Sequence, residues 1–187
     1  GSRITLTPDI VYTNENGILK TSNMERLTGA ISLNPNFFDK KLNIQLNVKG
    51  IYNTNRFADT GAIGMATQYD PTQPIYMDGN PYGNGYFMYM KSGNNPTPVD
   101  IGLANPVSIL DSKHDESTVY RSIGNAQIDY KFHFLPELRA NLNLGYDVSK
   151  SEGDVIIEDN APMTWCQGNY KTGFGENSSY YQLKRNT

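Results

Sequence analysis

The sequence has little of what builds disulfide frameworks, metal centres and nucleic-acid interfaces. It contains one cysteine, Cys166, so no internal disulfide can form, and thiolate-based zinc sites are excluded as well. Two histidines, His114 and His133, leave little material for a metal centre. With 16 Lys and Arg against 19 Asp and Glu, the net charge is −3, so the basic excess of a nucleic-acid-binding domain is missing. We therefore expect no cofactor, no metal ion and no nucleic-acid partner.

Long apolar runs are also missing. No stretch approaches the roughly 18 consecutive apolar residues of a membrane-spanning helix. No signal peptide is recognisable, and residues 1–2 (Gly-Ser) are typical of a cloning scar, which predicts that the native start lies upstream. Only 19% of the residues are charged, yet the chain holds 13 tyrosines, so its composition differs from that of a disordered chain.

Alternation with a period of two residues dominates the sequence, and it predicts β-strands with one apolar and one polar face. The alternating segments are residues 3–14, 26–34, 42–55, 119–134 and 140–149. In the third of them, Leu42, Ile44, Leu46, Val48 and Tyr52 oppose Asn43, Gln45, Asn47, Lys49 and Asn53. Helical periodicity is almost absent.

The connections between these segments alternate between short and long. PNFFDKK and LPELR are short, and ENGILKTSNME is of middling length. Residues 56–118 and 156–187 form long stretches rich in Gly, Pro, Asn and Tyr. Short turns at one end and long loops at the other are typical of outer-membrane β-barrels. Leu42 to Tyr52 would rise roughly 23 Å in a strand tilted by about 45°, close to the height of the apolar band of such a barrel. A soluble β-sandwich or β-helix also alternates, so this reading stays open at this point.

Longer stretches of the sequence resemble one family. YTNENGILKTSNMERLTGAISLNPNFFDKKLNIQLNVKG, RFADTGAIGMATQYDPTQPIY, NPVSILD and RSIGNAQIDYKFHFLPELRANLNLGYDVSKSEG, in this order, are similar to barrel strands and an external loop of the SusC-like, RagA-type TonB-dependent transporters. The resemblance implies a 22-stranded barrel in the bacterial outer membrane, closed by a plug domain and covered by a SusD-like lipoprotein. It also implies TonB-driven import of oligosaccharides or peptides, with outer-membrane lipid around the barrel.

The resemblance and the alternation together predict an all-β fold. We expect an antiparallel meander of about five strands with one very long loop, an excised part of that 22-stranded transmembrane β-barrel, because no plug and no TonB-contacting segment are recognisable. The expected divisions are residues 1–2 as the scar, 3–55 as three barrel strands, 56–118 as the long external loop, 119–155 as two further strands and 156–187 as a truncated external loop.

Catalytic motifs are missing: the sequence has no His-Glu-x-x-His, no Gly-x-Ser-x-Gly and no Walker loop, so no enzyme is expected. The long loop instead concentrates tyrosines and carboxylates, a combination that suits sugar rings with apolar faces and hydroxyl edges. The candidate ligand-contacting residues are Tyr69, Asp70, Tyr76, Asp78, Tyr82, Tyr86, Tyr89 and Trp165. The competing interpretation is that these rings pack the loop against itself or against the lid protein.

Two functions from different classes follow. The first is a fragment of a SusC-like outer-membrane transporter that imports oligosaccharides or peptides together with its lid lipoprotein. The second is a soluble all-β carbohydrate- or protein-binding module of a secreted or surface protein, with the tyrosine-rich loop as its recognition surface.

Overall fold

The computed structural model describes residues 4–38, 41–135, 137–166 and 173–186. In chain order the elements are β1 (Leu6–Asn16), β2 (Asn23–Leu33), β3 (Asn36–Phe37), β4 (Leu42–Phe57), α1 (Gly61–Gln68), a 3-10 turn (Gly83–Gly85), α2 (Pro106–Ser112), β5 (Lys113–Lys131), β6 (Arg139–Ile157), α3 (Pro162–Trp165) and β7 (Glu176–Asn186). None of the helices in these ranges is long and apolar enough to cross a membrane.

The strands form one antiparallel sheet in the order β1-β2-β4-β5-β6-β7, and the short β3 pairs with β4. Because neighbouring strands run in opposite directions, the β1–β2, β4–β5 and β6–β7 connections all leave the same end of the sheet. We call this the loop end. The β2–β4 and β5–β6 connections lie at the opposite end, the turn end. The predicted all-β meander is thereby confirmed.

The apolar sides of the strands align across the sheet. Tyr12 pairs with Leu27, Leu27 with Tyr52, and Tyr52 with Tyr120, so three tyrosines lie in one row on what we call the apolar face. The ring centroids of Tyr52 and Tyr120 are 5.2 Å apart. Toward the loop end, the next row on this face is polar, since it contains Glu25 opposite Thr54. The apolar band therefore ends at the tyrosine row.

Nothing in the described residues covers the apolar face. Ile10 is 77% exposed, Leu144 57% and Tyr12 62%. The largest group of buried apolar side chains lies instead in the connections at the loop end: Ala62, Met88, Ala104, Ile109, Ala161 and Cys166. A sheet that leaves its apolar side exposed while its loops are packed differs from a β-sandwich, in which that side forms the core.

The polar face carries ladders of hydrogen bonds between neighbouring strands. Ser32 Oγ lies 2.6 Å from Asn47 Oδ1, and Asn47 Nδ2 donates to Asn125 Oδ1 at 3.0 Å. Arg121 donates two hydrogen bonds to the carboxylate of Asp147, at 2.9 and 2.6 Å. This face presents both signs of charge, as its sequence indicated.

The structure contains more strands than the sequence pattern predicted. β3 adds two residues within the PNFFDKK connection, and β7 occupies residues 176–186, which we expected to form part of a truncated loop. The alternation in β7 is obscured by the adjacent Tyr180 and Tyr181, so its pairing with β6 reveals the strand where the local pattern does not. β4 also extends to Phe57, and β5 starts at Lys113 rather than near residue 119.

Candidate functional site

Three connections meet at the loop end and form what we call the loop cap: residues 17–22, 58–112 and 158–166. Thr21 Oγ1 donates to the carbonyl of Leu110 at 3.2 Å, which joins the first connection to the second. Asn84 Nδ2 donates to the carbonyl of Asp159 at 2.8 Å, which joins the second to the third. The long loops therefore pack against one another and do not extend separately.

The core of the loop cap includes Met88, which is 2% exposed. Met65, Tyr82, Met90, Leu110, Met163 and Trp165 are partly buried against the buried core residues. Helix α2 enters this core because Asn105 caps it, accepting a hydrogen bond from Val107 N at 3.0 Å, and Pro106 occupies the first turn. Helix α3, in which Pro162 and Thr164 are buried, likewise starts at a proline.

A tight backbone turn brings the tyrosines of the second connection together. Phe87 N donates to the carbonyl of Ile75, and Met77 N donates to the carbonyl of Gly85, both at 2.9 Å. Between them, Gly83 has a φ of +81°, and a Cβ on it would lie 2.6 Å from Met88 Sδ. Glycine is thus required there both for the backbone conformation and for the close approach of the methionine.

Six of the eight predicted site residues form three aromatic pairs: Tyr69 with Tyr89 at 5.9 Å, Tyr76 with Tyr86 at 5.4 Å, and Tyr82 with Trp165 at 5.1 Å between ring centroids. The third pair is edge-to-face and joins two different connections. These contacts are what the loop-packing interpretation expects. Ligand contact by the same residues stays a prediction.

The pairs differ in how accessible they are. Tyr76 is 59% exposed, whereas Tyr69, Tyr82, Tyr86, Tyr89 and Trp165 are half-buried. Trp165 Nε1 donates to Asn160 Oδ1 at 2.8 Å, so its polar edge already has a partner. Of the pairs, the one formed by Tyr76 and Tyr86 therefore leaves the most ring surface for another molecule.

Two of the tyrosine hydroxyls are held in the protonated state. Partial burial, followed by the hydrogen bond that Tyr86 donates to Asp111 Oδ2 at 2.9 Å, raises the pKa of Tyr86 to about 12. Burial is also the main cause that raises the pKa of Tyr69 to about 12, and its hydroxyl has no hydrogen-bond partner among the described residues. Both hydroxyls are therefore neutral, not anionic, at physiological pH.

The two predicted carboxylates lie on the surface of the cap. Asp70 accepts hydrogen bonds from Thr72 N at 2.9 Å and Thr72 Oγ1 at 2.7 Å, and these bonds lower the pKa of its carboxyl. Asp70 thus stabilises the local backbone turn that leads to Thr72. Asp78 is exposed and lies in the segment between the exposed Tyr76 and the turn at Gly83.

Asp111 was missed by the sequence interpretation, although it organises the accessible part of the cap. Lys20, from the first connection, forms an ion pair with it at 2.6 Å, and Tyr86 donates to the same carboxylate oxygen. Lys20 and Asp111 are 91 positions apart, and no sequence motif relates them. In residues 4–38, 41–135, 137–166 and 173–186, no cluster of three or more His, Cys, Asp or Glu is placed to hold a metal ion.

Comparison with curated proteins gives a match that extends over nearly the whole chain. The chain is 37% identical, over an alignment of 185 residues, to the TonB-dependent receptor SusC of Bacteroides thetaiotaomicron. The alignment covers 94% of this chain and 18% of SusC, so the chain spans less than a fifth of the length of that relative. No family model matches the chain.

Proposed function

Because this chain is a segment of a SusC-like protein, we propose that it forms part of the barrel wall and external loops of a TonB-dependent outer-membrane transporter. Its parent imports oligosaccharides or peptides. The sheet faces lipid on its apolar side and the barrel interior on its polar side, and the loop cap lies on the extracellular side.

The exposed apolar face is the observation that carries this proposal. Side chains such as Ile10 and Leu144 lie on a broad surface that nothing else in the described chain covers. Soluble proteins rarely leave contiguous apolar patches of this size in water. In an outer-membrane barrel the same face meets hydrocarbon, and a row of tyrosines marks its boundary with the polar headgroups.

The strand polarity supports the same orientation. The apolar band ends at the row of Tyr12, Tyr52 and Tyr120, and the strands continue beyond it toward the loop end with polar residues. Strands that extend past the membrane boundary into long loops are typical of the extracellular side of these barrels, whereas periplasmic turns are short. We therefore assign the turn end to the periplasm.

The loop cap is proposed to contact the imported ligand and a SusD-like lid lipoprotein, while TonB acts through the parent protein. The best candidates for ligand contact are the exposed Tyr76 and the nearby Asp78, because an aromatic face next to a carboxylate matches the alternating apolar and hydroxyl surfaces of a sugar. The more buried Tyr69, Tyr82, Tyr89 and Trp165 support the cap through packing.

Growth of a strain that lacks the parent gene tests the transport function directly. We expect loss of growth on one class of oligosaccharide or peptide as sole carbon source, with normal growth on its monomers. Growth equal to the wild type on all such sources, or recovery of the full-length protein in culture supernatant rather than in envelope vesicles, would contradict the proposal and favour the soluble binding module.

A variant separates ligand contact from loop packing. In the deletion strain complemented with the Tyr76→Ala variant, we expect the receptor to bind the transported oligomer roughly fivefold more weakly. This is the effect of losing about 1 kcal/mol of aromatic contact. Tyr12→Ala is the matched control, since Tyr12 is similarly exposed at 62% but lies on the apolar face of the sheet. Equal binding by both variants would remove Tyr76 from the site.

A further inference from the structure

An apolar slot crosses the apolar face immediately on the turn-end side of the tyrosine row. Its floor is formed by Gly29 and Gly50, which pair with each other across β2 and β4. Its volume is about 530 Å³, and Leu27, Tyr52, Tyr120 and Val148 are among its walls. A Cβ added to either glycine would meet no atom within 4 Å, so the floor is open space rather than a packing contact.

A polar cavity lies on the same face, on the loop-end side of the tyrosine row. It has a volume of about 630 Å³, and its lining includes Asn16, Asn23, Glu25, Thr54, Arg56 and Glu116. Glu25 and Thr54 are each two residues from a wall of the slot, Leu27 and Tyr52, along β2 and β4. Positions two apart lie on the same face, and the step is roughly 7 Å. The two spaces are therefore neighbours along the strands.

The chemistry of the two spaces is complementary to an amphiphilic molecule. The slot offers hydrocarbon and aromatic surface. The cavity offers amides, a hydroxyl and the carboxylates of Glu25 and Glu116, which suit sugar hydroxyls, and the cations Lys20 and Arg56, which suit phosphate. A further cation, Lys150, lies at the slot, with its Nζ 6.0 Å from the centre of the Tyr120 ring. Its ion pair with Glu152 at 2.7 Å is exposed, and exposed pairs are weak enough to yield to another anion.

We propose that the slot and the cavity together bind one glycolipid of the outer leaflet. An acyl chain crosses Gly29 and Gly50, and the sugar-phosphate headgroup contacts Arg56 and the amides of the cavity. A free oligosaccharide would use only the cavity, and a hydrocarbon tail alone would use only the slot. The inference rests on the proposed function, because only a barrel wall presents this face to lipid.

Lipid A added to the delipidated, detergent-solubilised parent receptor is the probe, and native mass spectrometry counts the bound molecules. We expect Gly50→Leu, which fills the slot, to reduce lipid A binding about tenfold, since several buried methylene contacts are lost. Arg56→Gln should reduce lipid A binding by a similar factor without changing retention of phosphatidylethanolamine. Gly145→Leu is the matched control: Gly145 is also a strand glycine but lies on the polar face, where a Cβ would meet only the Gly124 carbonyl at 3.8 Å.

Heat-modifiable migration of each variant verifies that the barrel has assembled, and Gly29→Leu replaces Gly50→Leu if the latter fails to assemble. Equal lipid A binding by the slot-filled variant and the wild type would overturn the inference, and so would displacement of lipid A by its own deacylated disaccharide phosphate, which carries no acyl chain. A receptor that supports growth from the outer membrane but binds no lipid A refutes the lipid site alone. A receptor absent from the outer membrane refutes the proposed function itself.

Discussion

Replacing Met88 by alanine is expected to loosen the loop cap and leave the sheet intact. Met88 is 2% exposed, belongs to the cap core and has the largest side chain of the fully buried residues that the structure describes. The position a Cβ would take on Gly83 is 2.6 Å from Met88 Sδ and 3.5 Å from Pro162 Cγ, so the methionine fills the space where two connections meet. Gly83 has no side chain that could fill the vacated volume, and Ala62 and Ala104, which belong to the same core, have only small ones.

The magnitude follows from that geometry. Truncating a buried methionine to alanine costs about 2–5 kcal/mol, and the cost is larger where the site collapses poorly. We expect about 3 kcal/mol for the local opening of the cap, which raises the population of the open state roughly a hundredfold. The hydrogen bonds Phe87 N–Ile75 O and Val99 N–Tyr89 O lie inside the cap, so their amides should report the change.

Hydrogen–deuterium exchange of the full-length parent receptor measures this effect. The amides of the cap should exchange roughly a hundredfold faster in Met88→Ala, whereas those in the paired strands β4 and β5 should keep their wild-type rates. Ile101→Ala is the control, because Ile101 belongs to the same connection but is 88% exposed. Equal exchange in the two variants would refute the cap core, and faster exchange in the strands would refute its independence from the sheet.

Other consequences can be checked on the same receptor. Because the folded cap raises the pKa values of Tyr69 and Tyr86 from the ordinary 10 to about 12, the cap keeps its full stability below pH 10 and loses stability as the pH rises toward 12 and these hydroxyls ionise. In spectrophotometric titrations, Tyr86→Phe should show one fewer tyrosine that ionises near pH 12 than the wild type does; an unchanged number would contradict this. In the sheet, the Tyr146 ring lies across Gly124, so Gly124→Ala must displace it. Thermal unfolding should show a loss of about 1–3 kcal/mol, against little change for Gly145→Ala, and equal stability of the two variants would rule out this contact.

Most strands of the sheet could be predicted from the local alternation of apolar and polar residues. The alternation between Leu42 and Tyr52 identifies β4 and its two faces, because successive side chains of any strand point to opposite sides. The two short connections predicted which strands pair as neighbours. The sequence did not predict β7, because its two adjacent tyrosines break the alternation. The strand is identified only by its pairing with β6.

The candidate site was less predictable. The sequence showed a loop rich in tyrosine, but it did not show that Tyr82 meets Trp165 or that Tyr86 donates to Asp111. Such contacts join segments that are far apart along the chain, so they depend on where the strands place each connection. The resemblance to a family identified the kind of protein, yet it did not distinguish exposed rings such as Tyr76 from those that hold the cap together.

The amino-acid sequence by itself determined the properties that repeat locally: strands with one apolar face, and short turns alternating with long loops. Only the tertiary structure decided the properties that depend on register. These are the alignment of Tyr12, Tyr52 and Tyr120 in one row and the pairing of Gly29 with Gly50. The physical reason is that a strand's period is set by its own backbone, whereas a row, a slot or a packed cap exists only when separate segments are brought to one place.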